Sequence, residues 1–256
     1  MKRISMILCG MLLLASSAMA QVKIIAHRGY WNSPGAAQNS LASMKNAQKA
    51  GAWGSEFDVH ITIDGVVVVN HDDDIHGVII EEAKYADIKD MKLANGEPIA
   101  TLKSYLEAGQ KLAPMQLILE IKAHQTPERE DRCVKACLEL VKQAELEEQV
   151  DYISFSMHAC EDIVKHNPNA RVYYLGSDVA PDIIKKKGFA GIDYYGGAIL
   201  KNPDWIKQTH NLGMKVNVWT IDEMKQIQQC VDAGVDFITT DKPEEAKKIA
   251  EGKLKF

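Results

Sequence analysis

From residue 21 to its end the chain alternates short apolar runs with segments of helical periodicity, and this alternation restricts the fold more than any other feature. The strand-like runs are 22–26, 53–59, 115–121, 150–155, 171–175, 190–194, 214–219 and 235–240. Between most of them apolar residues recur at helical spacing. Leu41, Met44 and Ala47 do so in 41–50, and Cys133, Val134, Cys137, Leu138 and Val141 in 128–145, with further helical segments at 222–233 and 243–250. Strands separated by helices pair in parallel through right-handed crossovers. Eight such units predict a closed barrel, for which about 250 residues is a usual size. An open doubly wound sheet is the competing arrangement, and no Gly-x-Gly-x-x-Gly turn supports it.

One connection is longer than a single helix needs. Between the second and third runs, Asp64-Gly65 is a hairpin signal, so Ile61-Thr62-Ile63 is expected to pair with Val66–Val69 and to carry His71 back over the barrel mouth. Residues 73–100 are polar with short helical potential, Asn95-Gly96-Glu97-Pro98 reads as a turn, and Thr101–Ala108 reads as a barrel helix.

The first 20 residues look like a targeting segment. Lys2 and Arg3 precede an apolar run from Met6 to Leu14, and Ala18-Met19-Ala20 is a small-x-small cleavage site. That run is shorter than the ~20 residues needed to span a bilayer. A cleaved signal peptide and a periplasmic or secreted bacterial protein starting at Gln21 are therefore expected, with a retained anchor as the alternative. The formal net charge is −5, and loss of Lys2 and Arg3 makes it two units more negative. An acidic chain does not suit a nucleic-acid backbone, but it leaves room for a small anionic substrate held by a few fixed cations. Cys133 and Cys137 share a helix face, read as two buried thiols with a bridge as the alternative. Without a Cys-x-x-Cys pair, no thiolate metal site is expected.

Four apolar runs end in ionisable residues of complementary kinds: His27-Arg28-Gly29, Glu56-Phe57-Asp58-Val59, His71-Asp72 and Glu120-Ile121-Lys122. In a parallel barrel the strand C-termini are where catalytic groups converge. Glu56 and Asp58 share one face of a strand, and adjacent carboxylates repel unless a proton or cation lies between them. With Glu120 they form an all-oxygen set suited to a hard cation, Mg²⁺ or Ca²⁺. His27 and His71 suit proton transfer near neutral pH, while Arg28 and Lys122 suit phosphate oxygens. Trp219 ends the seventh run and is a candidate substrate contact. His60 is read as a surface or outer-layer residue. His76, His124, His158, His166 and His210 are read as structural. Asp72 is placed to orient His71, and Asp241 to cap the last helix.

Taken in order, these motifs resemble the glycerophosphodiester phosphodiesterase family. His27-Arg28-Gly29 is similar to its opening motif, Glu56-Phe57-Asp58-Val59 to Glu-x-Asp-Val, and His71-Asp72 to His-Asp. Leu119-Glu120-Ile121-Lys122 is similar to the Glu-x-Lys strand, and Thr239-Thr240-Asp241-Lys242-Pro243 to the closing segment. The resemblance implies a TIM (β/α)8 barrel with a small insertion after the second strand. It implies one divalent cation on Glu56, Asp58 and Glu120, His27 and His71 as the acid/base pair, and Arg28 and Lys122 as phosphate contacts. It also implies attack by a neighbouring glycerol hydroxyl on phosphorus, a cyclic phosphate opened by water, and glycerol 3-phosphate as product.

Two departures stand out. Ala37-Gln38-Asn39-Ser40 replaces Pro-Glu-Asn-Ser/Thr and loses a carboxylate. Asp73-Asp74-Ile75-His76-Gly77 replaces the usual Leu-x-Arg-Thr-Thr segment. The reading is one domain over 21–256 that hydrolyses glycerophosphodiesters, with a small-molecule substrate and no nucleic-acid partner. The alternatives are a related barrel phosphodiesterase that cleaves a phospholipid headgroup and releases a cyclic phosphate, and a catalytically silent periplasmic binding protein. The motifs leave open which alcohol is released, which histidine is acid and which is base, and the oligomeric state.

Overall fold

The computed structural model describes residues 21–256, so the expected signal peptide at 1–20 lies outside the described residues. The strands are β1 (Lys23–Ala26), β2 (Gly54–Ile61), β3 (Val67–Val69), β4 (Asp74–Ile75), β5 (Val78–Ile79), β6 (Ala100–Thr101), β7 (Gln116–Ile121), β8 (Val150–Ser154), β9 (Arg171–Tyr174), β10 (Gly191–Tyr195), β11 (Lys215–Trp219) and β12 (Phe237–Thr240). Eight of them pair in parallel around a closed ring, β1-β2-β7-β8-β9-β10-β11-β12, and β12 returns to β1. The fold is therefore the eight-stranded α/β barrel expected from the alternation, with an insertion after the second barrel strand.

Helices follow each barrel strand, and several begin where their sequences provide a side-chain cap. Ser40 accepts from Ser43 N to start Leu41–Lys49, Thr126 accepts from Arg129 N to start Pro127–Gln143, and Ser156 accepts from Ala159 N to start Met157–His166. Pro127 and Pro243 occupy the first turn, where a missing N–H leaves no gap in the helix ladder. Residues 101–108 form the expected barrel helix, observed as Leu102–Gln110.

Strand alternation sorts the side chains into two layers. On β2, Phe57 and Val59 face outward and join the layer between sheet and helices, where Phe57 stacks on Tyr105 with ring centroids 4.5 Å apart. The barrel interior is filled by a separate set that includes Ile25, Ile118, Ile153, Tyr173 and Phe237. Glu56 and Asp58, alternating with Phe57, face that interior.

The insertion differs from the expected hairpin in one respect. Residues 61–63 do not form a strand of their own. β2 runs on to Ile61, and its last residues pair antiparallel with β3, His60 opposite Val68 and Ile61 opposite Val67. A single extended segment thus serves β1 at its start, β7 along its length and β3 at its end. The turn is the expected one: Gly65 has φ +89°, and Thr62 Oγ1 accepts from Val66 N. Beyond β3 the insertion builds its own small core from Val68, Ile75, Ile80, Ile88 and Ile99, so it is a packed cover rather than a loose loop.

Truncating Phe57 would leave a cavity between β2 and the helix Leu102–Gln110. Phe57→Ala is expected to lower unfolding stability by about 3–5 kcal/mol, measured by denaturant titration.

Candidate active site

Register brings the first pair of functional groups together. On β2 and β7, Asp58 lies directly opposite Glu120. Glu56, Asp58 and Glu120 are all buried, and each presents a carboxylate oxygen within 4.8 Å of the other two. Burial, then the charges of Asp58 and Glu120, push the Glu56 carboxyl well above its usual range. Burial and Asp58 raise Glu120 to about 7. Two oxygens of this group, Glu56 Oε1 and Glu120 Oε1, are buried without a hydrogen bond. Glu120 Oε1 lies 2.8 Å from Lys122 Nζ, within ion-pair distance. An unpaired Glu56 oxygen beside two further buried carboxylates is what a hard cation would satisfy, so the residues fit the divalent ion expected from the sequence.

The other oxygens are held by the scaffold. Glu56 Oε2 accepts from Arg28 N at 2.7 Å. Asn39 grips Asp58 twice: its side-chain amide donates to Asp58 Oδ2 at 2.9 Å, and its Oδ1 accepts from Asp58 N at 3.1 Å. Asn39 and Arg28 both have positive φ, +60° and +52°. Backbone conformations of this kind are sparsely populated and cluster at functional sites. Gly29 follows with φ +73°, and a Cβ there would fall 2.3 Å from Ser43 Oγ.

Arg28 and Lys122 stand on either side of the carboxylates. Gln38 Oε1 accepts from the Arg28 guanidinium at 2.7 Å, and Arg28 Nε lies 3.9 Å from Asp58. Gln38 thus orients the arginine without neutralising it. Lys122 Nζ lies 3.4 Å from Asp58 Oδ1. Burial opposes its charge, but Glu120 and Asp58 outweigh that and raise its pKa.

The two histidines line the same cavity, about 180 Å³ in volume, at the C-terminal end of the barrel. His27 Nδ1 lies 2.8 Å from Asp241 Oδ1, which also accepts from Trp31 Nε1 at 2.8 Å. Burial opposes the Asp241 charge, yet the bonds from His27 and Trp31 hold its carboxyl below the usual range. This corrects the reading of Asp241 as a helix cap. Lys242 occupies the cap position of Pro243–Ala250 without a side-chain bond. The reason is register: Ala26 is the partner of Thr240, so His27 and Asp241 leave adjacent strands side by side. Asp222 steadies that corner by accepting from Asp241 N and Thr240 Oγ1.

His71 is carried to the cavity by β3, as the hairpin predicted. Its Nδ1 lies 2.7 Å from Asp72 Oδ1, but Asp72 is 75% exposed, a looser support than Asp241 provides. Burial lowers the His71 pKa, which favours the neutral ring. His60 is fully buried, not a surface group, and its Nε2 lies 3.2 Å from the His71 carbonyl oxygen.

An aromatic wall faces the histidines. Trp219 donates from Nε1 to Asp193 O at 2.9 Å, and Phe155 and Tyr195 pack against it with centroids 5.2 and 5.9 Å away. Below it, burial raises Asp193 to about 8. Asn39, Phe155 and Asp193 were not singled out from the sequence. Asn39 had a signal, its place beside Gln38 in a quoted motif. Phe155 and Asp193 had none, since their role depends on which strands close the ring. Cys133 and Cys137 are buried free thiols with Sγ atoms 4.0 Å apart.

A larger open depression of about 720 Å³ lies near Gln21, His210 and Asp236. Its charged groups are already engaged: Asp236 binds Lys215 and His210 at 2.7 Å and Val216 N at 2.9 Å. It therefore lacks the unpaired, converging groups of the smaller cavity.

Comparisons with known proteins fit this geometry. The profile of the Glycerophosphoryl diester phosphodiesterase family matches residues 27–245. The chain belongs to that family. A glycerophosphodiester phosphodiesterase of Caldanaerobacter subterraneus subsp. tengcongensis is 30% identical over 238 residues, covering 86% of this chain and 94% of its own. A crystal structure of a glycerophosphodiester phosphodiesterase from Parabacteroides distasonis superposes with a TM-score of 0.90 at 45% identity, covering 92% of this chain and 99% of that one. The fold is also shared with an Oleispira antarctica phosphodiesterase solved with the product sn-glycerol-3-phosphate (TM-score 0.80, 24% identity, 90% of this chain and 96% of that one).

Cation binding here should depend on pH in a defined direction. Protons and cation compete for the same carboxylates, and Glu120 ionises only near pH 7 when no cation is bound. A raised carboxyl pKa means that the folded, cation-free protein holds an extra proton. Its stabilising contribution is complete below the ordinary carboxyl pKa and is lost as pH rises through about 7. Saturating Mg²⁺ or Ca²⁺ is therefore expected to raise the melting temperature more at about pH 8 than at about pH 5. An equal shift at both values would contradict this assignment of the carboxylates.

Proposed function

We propose that this enzyme hydrolyses glycerophosphodiesters to glycerol 3-phosphate and an alcohol, using His27 and His71 as the acid/base pair. One observation carries the proposal: two carboxylate-supported imidazoles and two fixed cations, Arg28 and Lys122, border one cavity over three buried carboxylates. Family membership supports phosphodiester hydrolysis, and the arrangement around the cavity supports these roles.

His27 shares its Nδ1 with Asp241, so Nε2 is left to exchange a proton in the cavity. His71 is arranged in the same way through Asp72. One ring takes the proton of the attacking hydroxyl and the other gives a proton to the leaving alkoxide. Arg28, aimed by Gln38, and Lys122 receive the phosphoryl oxygens as charge gathers on them. Trp219 and its aromatic neighbours supply an apolar wall against which the carbon skeleton of the substrate packs. Glu56, Asp58 and Glu120 would hold a divalent cation, Mg²⁺ or Ca²⁺, which supplies Lewis-acid neutralisation of phosphoryl charge. The proposal includes export through residues 1–20 to the periplasm or beyond. Detection of a mature N-terminus at Gln21 in the exported fraction tests that part. Among the described residues no helix is long and apolar enough to cross a membrane.

A coupled glycerol 3-phosphate assay over glycerophosphocholine, glycerophosphoethanolamine, glycerophosphoinositol and a phospholipid tests the substrate class. Turnover of the first three is expected; release of a cyclic phosphate from phospholipid alone would overturn the reading. His27→Ala and His71→Ala are each expected to lower kcat by ~10²-fold or more. Asp241→Asn should lower kcat with little change in KM, because it alters how His27 holds its proton rather than a substrate contact. Full turnover in excess chelator would exclude a role for the cation.

A further inference from the structure

Beside the catalytic cavity, a second group of ligand-type side chains is buried under the insertion. His60 on β2, Glu81 in the insertion and His124 just past β7 each bring a nitrogen or oxygen within 4.8 Å of the other two. His60 is 0% exposed and Glu81 5%. The His60 Nε2 faces the His71 carbonyl oxygen, which can only accept, so Nε2 carries the proton and Nδ1 presents a lone pair. That Nδ1 is buried without a partner, and so is His124 Nδ1.

We propose that His60, Glu81 and His124 bind a borderline transition-metal cation of the Zn²⁺ class, distinct from the hard cation of the all-carboxylate group. The surroundings are those of metal ligands. A ligating imidazole normally donates its other N–H to a carbonyl or carboxylate, and a ligating carboxylate is normally anchored by hydrogen bonds. His60 donates to His71 O, and the Glu81 carboxylate is anchored through Oε2, which accepts from Arg129 and Gln125 N, both at 3.3 Å. Two imidazoles select Zn²⁺, Co²⁺ or Ni²⁺ over Mg²⁺ and Ca²⁺. The Ile61 N–H donates to His124 Nε2 at 3.3 Å, so ligation through His124 Nδ1, which moves the ring proton to Nε2, costs that one bond. The competing occupant is a buried water that accepts from one ring and donates to the other. A metal here ties the insertion to β2 and to the chain beyond β7. Through His60 it also fixes the carbonyl of His71.

Co²⁺ serves as the probe, added to the chelator-stripped full chain in excess Mg²⁺, which occupies the carboxylate group. The expected result is uptake of one Co²⁺ per chain with visible d–d absorption and a rise in melting temperature. Both signals should persist in a Glu56→Gln/Asp58→Asn variant and disappear in His60→Gln. Glu81→Gln, which leaves the barrel strands untouched, is expected to weaken uptake by about 10-fold or more. Absence of Co²⁺ uptake by the wild type in excess Mg²⁺, or equal uptake by His60→Gln and Glu81→Gln variants that keep the native circular dichroism, would overturn the proposal and assign the site to water.

Discussion

Glu56, Asp58 and Glu120 impose the constraint from which the rest of the site follows. Three carboxylates on neighbouring parallel strands, all facing the barrel interior, repel one another in a medium that screens them poorly. The surrounding residues counter that repulsion. Asn39 grips Asp58, the Arg28 backbone N–H reaches Glu56, and Lys122 sits against Glu120 and Asp58. Two buried oxygens still lack hydrogen bonds. The scaffold leaves the group incomplete where Glu56 and Glu120 line the cavity.

That constraint also accounts for the unusual backbone nearby. Arg28 and Asn39 take positive φ without being glycine, conformations that persist only where surrounding structure overdetermines them. Arg28 must offer its N–H to Glu56 and its guanidinium to Gln38 at the same time, and Asn39 must meet both the side chain and the backbone of Asp58. The turn that satisfies all four demands is closed by Ser40, which begins the first helix. Gln38 is neutral, so it orients the Arg28 guanidinium without adding a further carboxylate beside it.

Much of this was legible in the linear chain. Alternating elements implied parallel pairing, and the two-residue spacing of Glu56 and Asp58 implied one face. The Asp64-Gly65 turn implied the return of His71. Asp241 was misread because its local context, two threonines before and Lys-Pro after, is that of a helix start. Its pairing with His27 exists only because β12 closes against β1 across 214 residues of sequence. His60 was read as a surface or outer-layer residue, and its full burial was missed for a similar reason. The insertion that buries it is held by a core of scattered isoleucines with no clear periodicity.

Periodicity and residue chemistry by themselves determined the fold class, the identity of the ionisable groups and the end of the barrel at which they gather, because side-chain direction within a strand or helix is a local property. Ring closure and register decided the partners: Asp241 for His27, Asn39 for Asp58, His60 for the His71 carbonyl, and the aromatic wall around Trp219. Those contacts join segments far apart in the chain. Their geometry depends on how neighbouring strands align when the barrel closes, which no local pattern encodes.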